Sequence, residues 1–395
     1  MIADPWFWAW LGLGVPLFWA LPDRHRLSAL AAMSVIYLLH LAPATVLALG
    51  AWTAVTFVVA RRVHAGQLSR GWVPVLVCAI LAYLAFYKYV PVIRASISHA
   101  PTVASLALPL GISYFSFKLV HYVIETSRGS MRGHGVADFV SYIFLVPIFT
   151  AGPIERFEHY LGQRESSWSA QSAAEGTMRI AQGLIKKFLV GELLLLPLLG
   201  SVRDGGDLLT LLPGLPTWKV WAFCARTFLY LYVDFSAYSD IAIGTSRLFG
   251  LRILENFNWP ILATSIGDFW KRWHMTLAGW CQAYVYMPTI GLTRNPYVAT
   301  YATFGAIGLW HAPSLGWILW GLYHATGLSL YGTWSRERRR RKWRGLDRPG
   351  WRWLGTPATM AFVVAGASLT ALDGHGGLYA RLRVLAKLLF IDLPV

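Results

Sequence analysis

Charge is scarce in this chain of 395 residues: 14% of it is Asp, Glu, Lys or Arg, where an average soluble domain carries roughly 25%. With 56% hydrophobic residues, that deficit excludes an ordinary soluble globular protein. Cysteine is scarcer still. Cys78, Cys224 and Cys281 lie far apart and form no CxxC, which excludes a disulfide framework and a thiolate metal site. Each is expected to be a small buried packing residue. Three chemical strings are missing as well. No GxSxG occurs, so a serine nucleophile is not indicated. Without HExxH or GxxxxGK[ST], a zincin and a P-loop ATPase are disfavoured too. The run Met1–Leu21 lacks a basic n-region and a small-residue cleavage site, and reads as a retained first helix rather than a signal peptide.

What is present is apolar sequence in long continuous runs. Trp6–Leu21, Ala44–Ala60, Val73–Val92, Ile180–Leu199, Val220–Asp234, Val298–Trp310, Leu315–Trp334 and Pro357–Leu372 are long enough, alone or with their flanks, to be spans or partial spans. Leu27–Leu41 and Phe139–Gly152 are shorter, and suit tilted or re-entrant segments. The runs do not alternate, which disfavours a transmembrane barrel. The fold class expected is all-α: a polytopic membrane helical bundle of roughly ten to twelve transmembrane helices at about 20 residues per span. No internal repeat and no soluble domain is evident, so 1–395 reads as one membrane-embedded domain.

The formal net charge of +16 is unevenly placed. Arg24 and Arg26 mark one short loop, and Arg61, Arg62 and Arg70 another; nine basic residues then fall between Arg336 and Arg352. By the positive-inside rule these loops are cytoplasmic and the N-terminus, MIADP, is external. Nucleic-acid binding is the rival explanation of SRERRRRKWR (Ser335–Arg344), and a solvated membrane-flanking loop outweighs it. No nucleic-acid partner is expected; membrane lipids are.

Proline and glycine break the pattern at LPLGISYF (Leu108–Phe115) and VPIFTAGPIERF (Val146–Phe157). Non-helical backbone at membrane depth is tolerated only where protein buries it or it lines a cavity. A helix end at the interface and a cavity wall are equally good readings. Either places Glu155 and Arg156 near the interface.

Two acids, Asp234 and Asp240, stand in the otherwise apolar LYVDFSAYSDIAIGTSRLFG (Leu231–Gly250). Six helical positions separate them by about 120° around the axis, so they do not form a tight carboxylate pair. Pairing with a nearby Arg or Tyr outweighs substrate orientation.

Two histidines sit in Trp-rich strings, GDFWKRWHMTL (Gly267–Leu277) and GLWHAPSLGWILWGLYH (Gly308–His324). His274 follows Lys271 and Arg272; His311 follows Trp310. A titratable ring is costly in hydrocarbon and normally faces a bundle interior or an aqueous cavity. A buried structural histidine is the bland alternative for His311, and an interfacial position for His274. His324 reads as structural or cavity-lining, and His121 as a weak candidate.

DFSAYSDIAIG, NFNWPILATSIGDFWKRWHMTL and GLWHAPSLGWILWGLYHA together resemble the membrane-bound O-acyltransferase family. LPLGISYFSFK and TAGPIERF extend the resemblance over roughly Leu108–Leu330, toward bacterial alginate O-acetylases and teichoic-acid D-alanyl transferases. It implies a central funnel or tunnel through which an acyl group passes from a cytoplasmic donor to a hydroxyl across the membrane. It makes His311 the catalytic histidine and His274 a second functional one. Asp234, Asp240, Lys271, Arg272, Trp310 and His324 are left as substrate-binding or structural candidates. No metal and no bound cofactor is implied; the donor is acetyl-CoA or an acyl carrier protein. An exported SGNH-type (serine esterase-like) acyl-relay protein is the implied partner, and the bacterial cytoplasmic (inner) membrane the location, with multiple passes. The acceptor is an exported cell-surface polysaccharide, with acetyl the expected group and D-alanyl the runner-up. A secondary transporter, which the lack of an inverted repeat disfavours, is the reading from another class. After RWHMTL the pattern departs: Gln282 and Ala283 stand where an Arg-Asp pair is usual, though Trp280, Tyr284, Tyr286 and Pro288 remain.

The residues suit that chemistry on their own. An alcohol is a weak nucleophile, and a neutral imidazole of unperturbed pKa about 6.5 suits the base that activates it. The tetrahedral oxyanion needs a donor, for which His274, Lys271, Arg272 or a backbone N–H all qualify.

The charge asymmetry yields a topological test. In Arg340→Cys, a membrane-impermeant thiol reagent applied to intact cells is expected to leave the new cysteine unlabelled until the cells are opened. Ready labelling from outside would reverse the orientation.

Overall fold

In the computed structural model the chain is described over residues 2–98, 108–131, 133–198, 202–343 and 349–394, and no strand occurs among them. The chain divides into two compact units, Met1–Leu184 with Ala237–Glu255, and Ile185–Ser236 with Asn256–Val395.

The first unit opens with α1 (Pro5–Ala20), α2 (Asp23–Leu41), α3 (Pro43–His64) and α4 (Trp72–Ser98). Pro5 and Pro43 sit in the first turns of their helices, where a missing N–H costs nothing. Asp4 caps α1 through the N–H of Trp6 (3.1 Å) and also accepts from the Tyr37 hydroxyl of α2 (2.8 Å). Further on come α5 (Ile112–Arg128), α6 (Val136–Ile143), α7 (Phe157–Gly162) and α8 (Ala170–Leu184). Of the two Pro-Gly segments, Val146–Phe157 is mostly irregular backbone largely buried within this unit, while Leu108–Phe115 runs from an exposed Leu108 into α5. Leu145, Val146 and Ile148 are fully buried. Gly111 enters α5 at φ +70°, and a Cβ there would lie 2.4 Å from the Phe149 carbonyl oxygen.

Glu155 is 1% exposed, buried within this unit. Its carboxylate accepts from the N–H groups of Arg156 (2.9 Å) and Leu254 (2.7 Å) and bonds His159 Nδ1 (2.8 Å). Its carbonyl accepts from the Tyr142 hydroxyl (2.7 Å), while Lys118 Nζ donates to the Tyr142 carbonyl (2.9 Å). An ionised group stays buried only when its charge and lone pairs are matched, and this network matches them. SYFSFK and TAGPIERF are thereby tied together as architecture.

The second unit begins with a π-helical stretch, Ile185–Leu195, then α9 (Gly205–Leu211) and the start of α10 (Thr217–Leu248), whose last turns from Ala237 belong to the first unit. It continues through α11 (Ile266–Trp270), α12 (Met275–Cys281), a π-helical turn Gln282–Tyr286, α13 (Met287–Thr293), α14 (Pro296–His311), α15 (Leu315–Arg340), α16 (Pro349–Ala371) and α17 (Leu378–Leu388). Phe223 and Phe228 of α10 pack with Phe269, Val363, Val364, Val384 and Leu388 in one core. Of the three cysteines, Cys224 and Cys281 are buried as expected. Cys78 is not: it is exposed on α4, an apolar helix with little of its surface covered by protein.

Three helices among the described residues are long and apolar enough to cross a membrane: Pro43–His64, Trp72–Arg94 and Leu354–Ala371. They cover the expected runs Ala44–Ala60 and Val73–Val92 and most of Pro357–Leu372. Four of the other runs fall short for visible reasons. α1 and α14 have 16 residues each, about 24 Å at 1.5 Å per residue against a hydrocarbon core of about 30 Å. Ile180–Leu199 is divided between α8 and the π-helical stretch, with its last residue outside the described set. Phe139–Gly152 is a short helix followed by irregular backbone. The basic stretch after Trp334 begins as the last turns of α15, where Arg340 (3.1 Å) and Arg341 both pair with Glu337; residues 344–348 lie outside the described set.

Gly111→Ala would combine a left-handed backbone with an overlap against Phe149. It is expected to destabilise the protein by about 2–4 kcal/mol, seen as a lowered melting temperature in detergent. An unchanged melting temperature would show that Phe149 yields freely.

Candidate functional site

His311 is the last residue of α14 because the next turn cannot continue. Ala312 precedes Pro313 and is extended (φ −160°, ψ 150°), as a pre-proline residue must be. Ser314 then caps α15 by accepting from the Trp317 N–H (3.4 Å). The reversal lays α15 back along α14, and glycine sets the spacing. A Cβ on Gly308 would stand 2.4 Å from the Trp317 carbonyl oxygen, and one on Gly321 2.6 Å from that of Phe304. Small residues allow such backbone approach between membrane helices. At this separation the His311 ring stacks on Trp317, with centroids 4.0 Å apart and planes 14° from parallel.

His274 reaches the same unit from another element. It precedes α12 in a left-handed conformation (φ 41°, ψ 53°). That geometry is uncommon for a residue bearing a Cβ and marks stored strain where a surrounding structure enforces it. Asn256 supplies the enforcement: its carbonyl accepts from the Met275 N–H (2.9 Å) and its side chain from Thr276 Oγ1 (2.8 Å). The ring is 3% exposed and stands edge-on to Phe235 at 4.7 Å. Its Nε2 is buried without a hydrogen-bond partner among the described residues. Such an atom in a native structure calls for an explanation, a catalytic role among them.

Trp310 lies between the two histidines. Its ring is 6.5 Å from that of His274 and 4.5 Å from that of His311. His324, one helix further on, is 1% exposed, packed against Trp320 (4.7 Å), Trp270 (5.3 Å) and Phe362 (5.5 Å). Trp320 also meets His311 at 5.9 Å. One aromatic cluster within the second unit therefore holds all three histidines.

The charged candidates are paired with other groups or exposed. Arg272 Nε donates to Asp268 (2.8 Å), the acid in the first turn of α11, which also accepts from the Thr264 N–H (3.1 Å). Arg272 is thus engaged in holding this turn; Lys271 is exposed. Asp234, in the second unit, accepts from Lys187 Nζ (2.6 Å). Asp240, in the first, accepts from Arg179 Nε (2.6 Å), whose other nitrogen reaches Glu255 (2.5 Å).

Sequence reading misses Trp317, Trp320, Trp270 and Asn256. The Trp-rich strings hold the signal for the first three: Trp317 and Trp320 lie six and nine residues past His311, but spacing alone does not reveal the hairpin that folds them back. Among the described residues, no group of three or more His, Cys, Asp or Glu is arranged to hold a metal.

Comparison with known proteins defines the class of this helical, membrane-apolar chain. Residues 67–369 match the membrane-bound O-acyltransferase family, and the chain belongs to it. It is 32% identical over 278 residues to a probable alginate O-acetylase of Azotobacter vinelandii, covering 67% of this chain and 54% of that protein. With a teichoic acid D-alanyltransferase of Bacillus subtilis it shares 28% over 281 residues, 65% of this chain and 67% of the relative. With a peptidoglycan O-acetyltransferase of Helicobacter pylori it shares 27% over 325 residues, 72% of this chain and 60% of the relative. The chain spans about half the length of the alginate O-acetylases it matches.

Truncating either histidine separates site from scaffold. His311→Ala is expected to lower acyl transfer by about 10²–10⁴-fold, the usual worth of a general base, with membrane insertion unchanged. His274→Ala is expected to lower it by about 10²–10³-fold, as loss of an oxyanion donor does. Near-wild-type turnover by either purified variant would remove that histidine from the mechanism.

Proposed function

We propose that this protein is a multi-pass O-acyltransferase of the bacterial cytoplasmic membrane that transfers an acetyl group to a hydroxyl, for modification of an exported cell-surface polysaccharide. The observation that carries the reading is the placement of His311: a half-buried imidazole fixed by its stack on Trp317, beside a second, buried imidazole with an unpartnered nitrogen.

The chemistry follows from that placement. His311 takes the proton of the acceptor hydroxyl as its oxygen attacks the carbonyl carbon of a thioester donor. The carbonyl electrons move to oxygen, and a donor must meet the resulting charge; His274, in its N–H form, is the nearest titratable candidate. Collapse of the tetrahedral intermediate breaks the C–S bond. The leaving thiolate recovers the proton from His311, leaving ester and thiol. Trp310 and Trp317 fix the base and shield it from water. Lys271, Arg272, Asp234 and Asp240 act outside this step, and His324 supports the aromatic wall.

The donor is acetyl-CoA or an acyl-loaded carrier protein on the basic cytoplasmic side, where opposite charge favours encounter. An exported SGNH-type relay protein accepts the group and delivers it to the polymer. The names of the relatives support this reading for acetyl and leave D-alanyl as the runner-up.

Deletion of the gene, followed by assay of ester-linked acetate and D-alanine on surface polymers, tests it. Loss of acetate with D-alanine retained is expected. Loss of D-alanine alone would select the runner-up, and no change in either would reject both.

A further inference from the structure

A cavity of ≈ 300 Å³ opens in the second unit beside the aromatic cluster. Its walls come from four helical elements and the π-helical turn: Trp270 of α11, Ala278 and Cys281 of α12, Gln282 and Tyr286 of the turn, Thr300, Thr303, Phe304 and Ile307 of α14, and Leu328 of α15. Two features connect it with the histidines. Positions 300, 303, 304 and 307 share one face of α14 with 311, one turn or more before it; Ile307 is about 6 Å along the axis from His311 at 1.5 Å per residue. Phe304 and Trp270 also pack against both Trp320 and His324.

The lining has no acid and no base. Its polar groups are neutral: Gln282, Tyr286 and the threonines, of which Thr300 and Thr303 already donate to carbonyls four residues back (2.8 and 2.7 Å). The nearest acid along the chain from a lining residue, Asp268, is held by Arg272. A π-helical turn in an otherwise α-helical element is a frequent mark of a functional site, and this one supplies Gln282, where the family pattern of an Arg-Asp pair is absent.

Resting on the acyltransferase reading, we propose that this cavity is the acyl pocket and that its uncharged lining selects neutral short-chain acyl groups over ammonium-bearing aminoacyl groups. Size and charge both decide. The volume is at the lower end for small-molecule sites, about 300–1,000 Å³, and exceeds what a two-carbon group fills, so acyl chains of three or four carbons fit as well. An aminoacyl group would bring an ammonium into a site without a counter-charge. Burying such an ion carries a desolvation cost that exceeds what a cation–π contact with Trp270, Tyr286 or Phe304 recovers. Gln282 is the position at which one atom exchange supplies a carboxylate.

The test uses membrane vesicles that carry the protein together with the exported relay protein and the acceptor polymer, with acetyl-CoA, butyryl-CoA and a D-alanyl-loaded carrier protein as probes and polymer-bound ester as the readout. Ratios between donors are compared, because partial misfolding lowers every donor alike and leaves a ratio unmoved. Wild type is expected to use acetyl and butyryl groups at rates within tenfold of each other and D-alanyl at least tenfold more slowly. Gln282→Glu is expected to raise the D-alanyl to acetyl ratio at least tenfold. Ala278→Val, a milder change that narrows the cavity, is expected to lower the butyryl to acetyl ratio at least fivefold. Ratios unmoved in both variants, with transfer retained, would overturn the pocket and leave the acyltransferase reading standing. Absence of transfer from every donor in wild type would overturn both.

Discussion

The close approach of α14 and α15 is the constraint on which the site depends. Gly308 and Gly321 stand where a Cβ would come within 2.4 and 2.6 Å of a facing carbonyl oxygen. Nothing in hydrocarbon drives two apolar helices together as water does, so packing and small residues must do it. The consequence is chemical. Only at this spacing does the last residue of α14 lie flat on Trp317, which fixes the direction in which an imidazole nitrogen points. A base must be held within hydrogen-bond reach of the proton it removes, and a ring free to rotate at a helix end would not be.

His274 is held by the opposite means. Its backbone takes a conformation that costs of order 1–3 kcal/mol, and the hydrogen bonds of Asn256 to Met275 and Thr276 maintain it. One histidine is placed by an unstrained helix packing, the other by a strained turn. Both arrive in one cluster of Trp and Phe rings, His274 buried and His311 half-buried. The acids and cations that sequence made equally prominent are consumed elsewhere: Arg272 in a helix cap, Asp234 and Asp240 in ion pairs.

Much of this is legible in the residues. Continuous apolar runs announce helices rather than strands, and the two Trp-rich strings announce the histidines. Pro313 and Ser314 allow the end of one helix and the start of the next to be read locally. The partners are less legible, because each depends on a contact distant in sequence. Asn256 precedes His274 by 18 residues and looks like an ordinary loop residue until its hydrogen bonds are seen. Gly308 and Gly321 look like helix weaknesses until the facing carbonyls are placed. Glu155 reads as a residue just past a Pro-Gly break, and the four hydrogen-bonding groups that converge on it are invisible in the sequence. Periodicity reports the face a residue occupies; it does not report what stands opposite.

The central claim is that glycine-mediated helix packing places His311, the residue proposed as the base. Turnover of purified Gly308→Ala, measured beside its folded yield, tests it most directly. A methyl group against the Trp317 carbonyl is expected to part the helices and lower acyl transfer at least tenfold while the protein still inserts and purifies as a single species. Wild-type turnover in that variant would contradict the account, because it would show that His311 works without the stack that close packing provides.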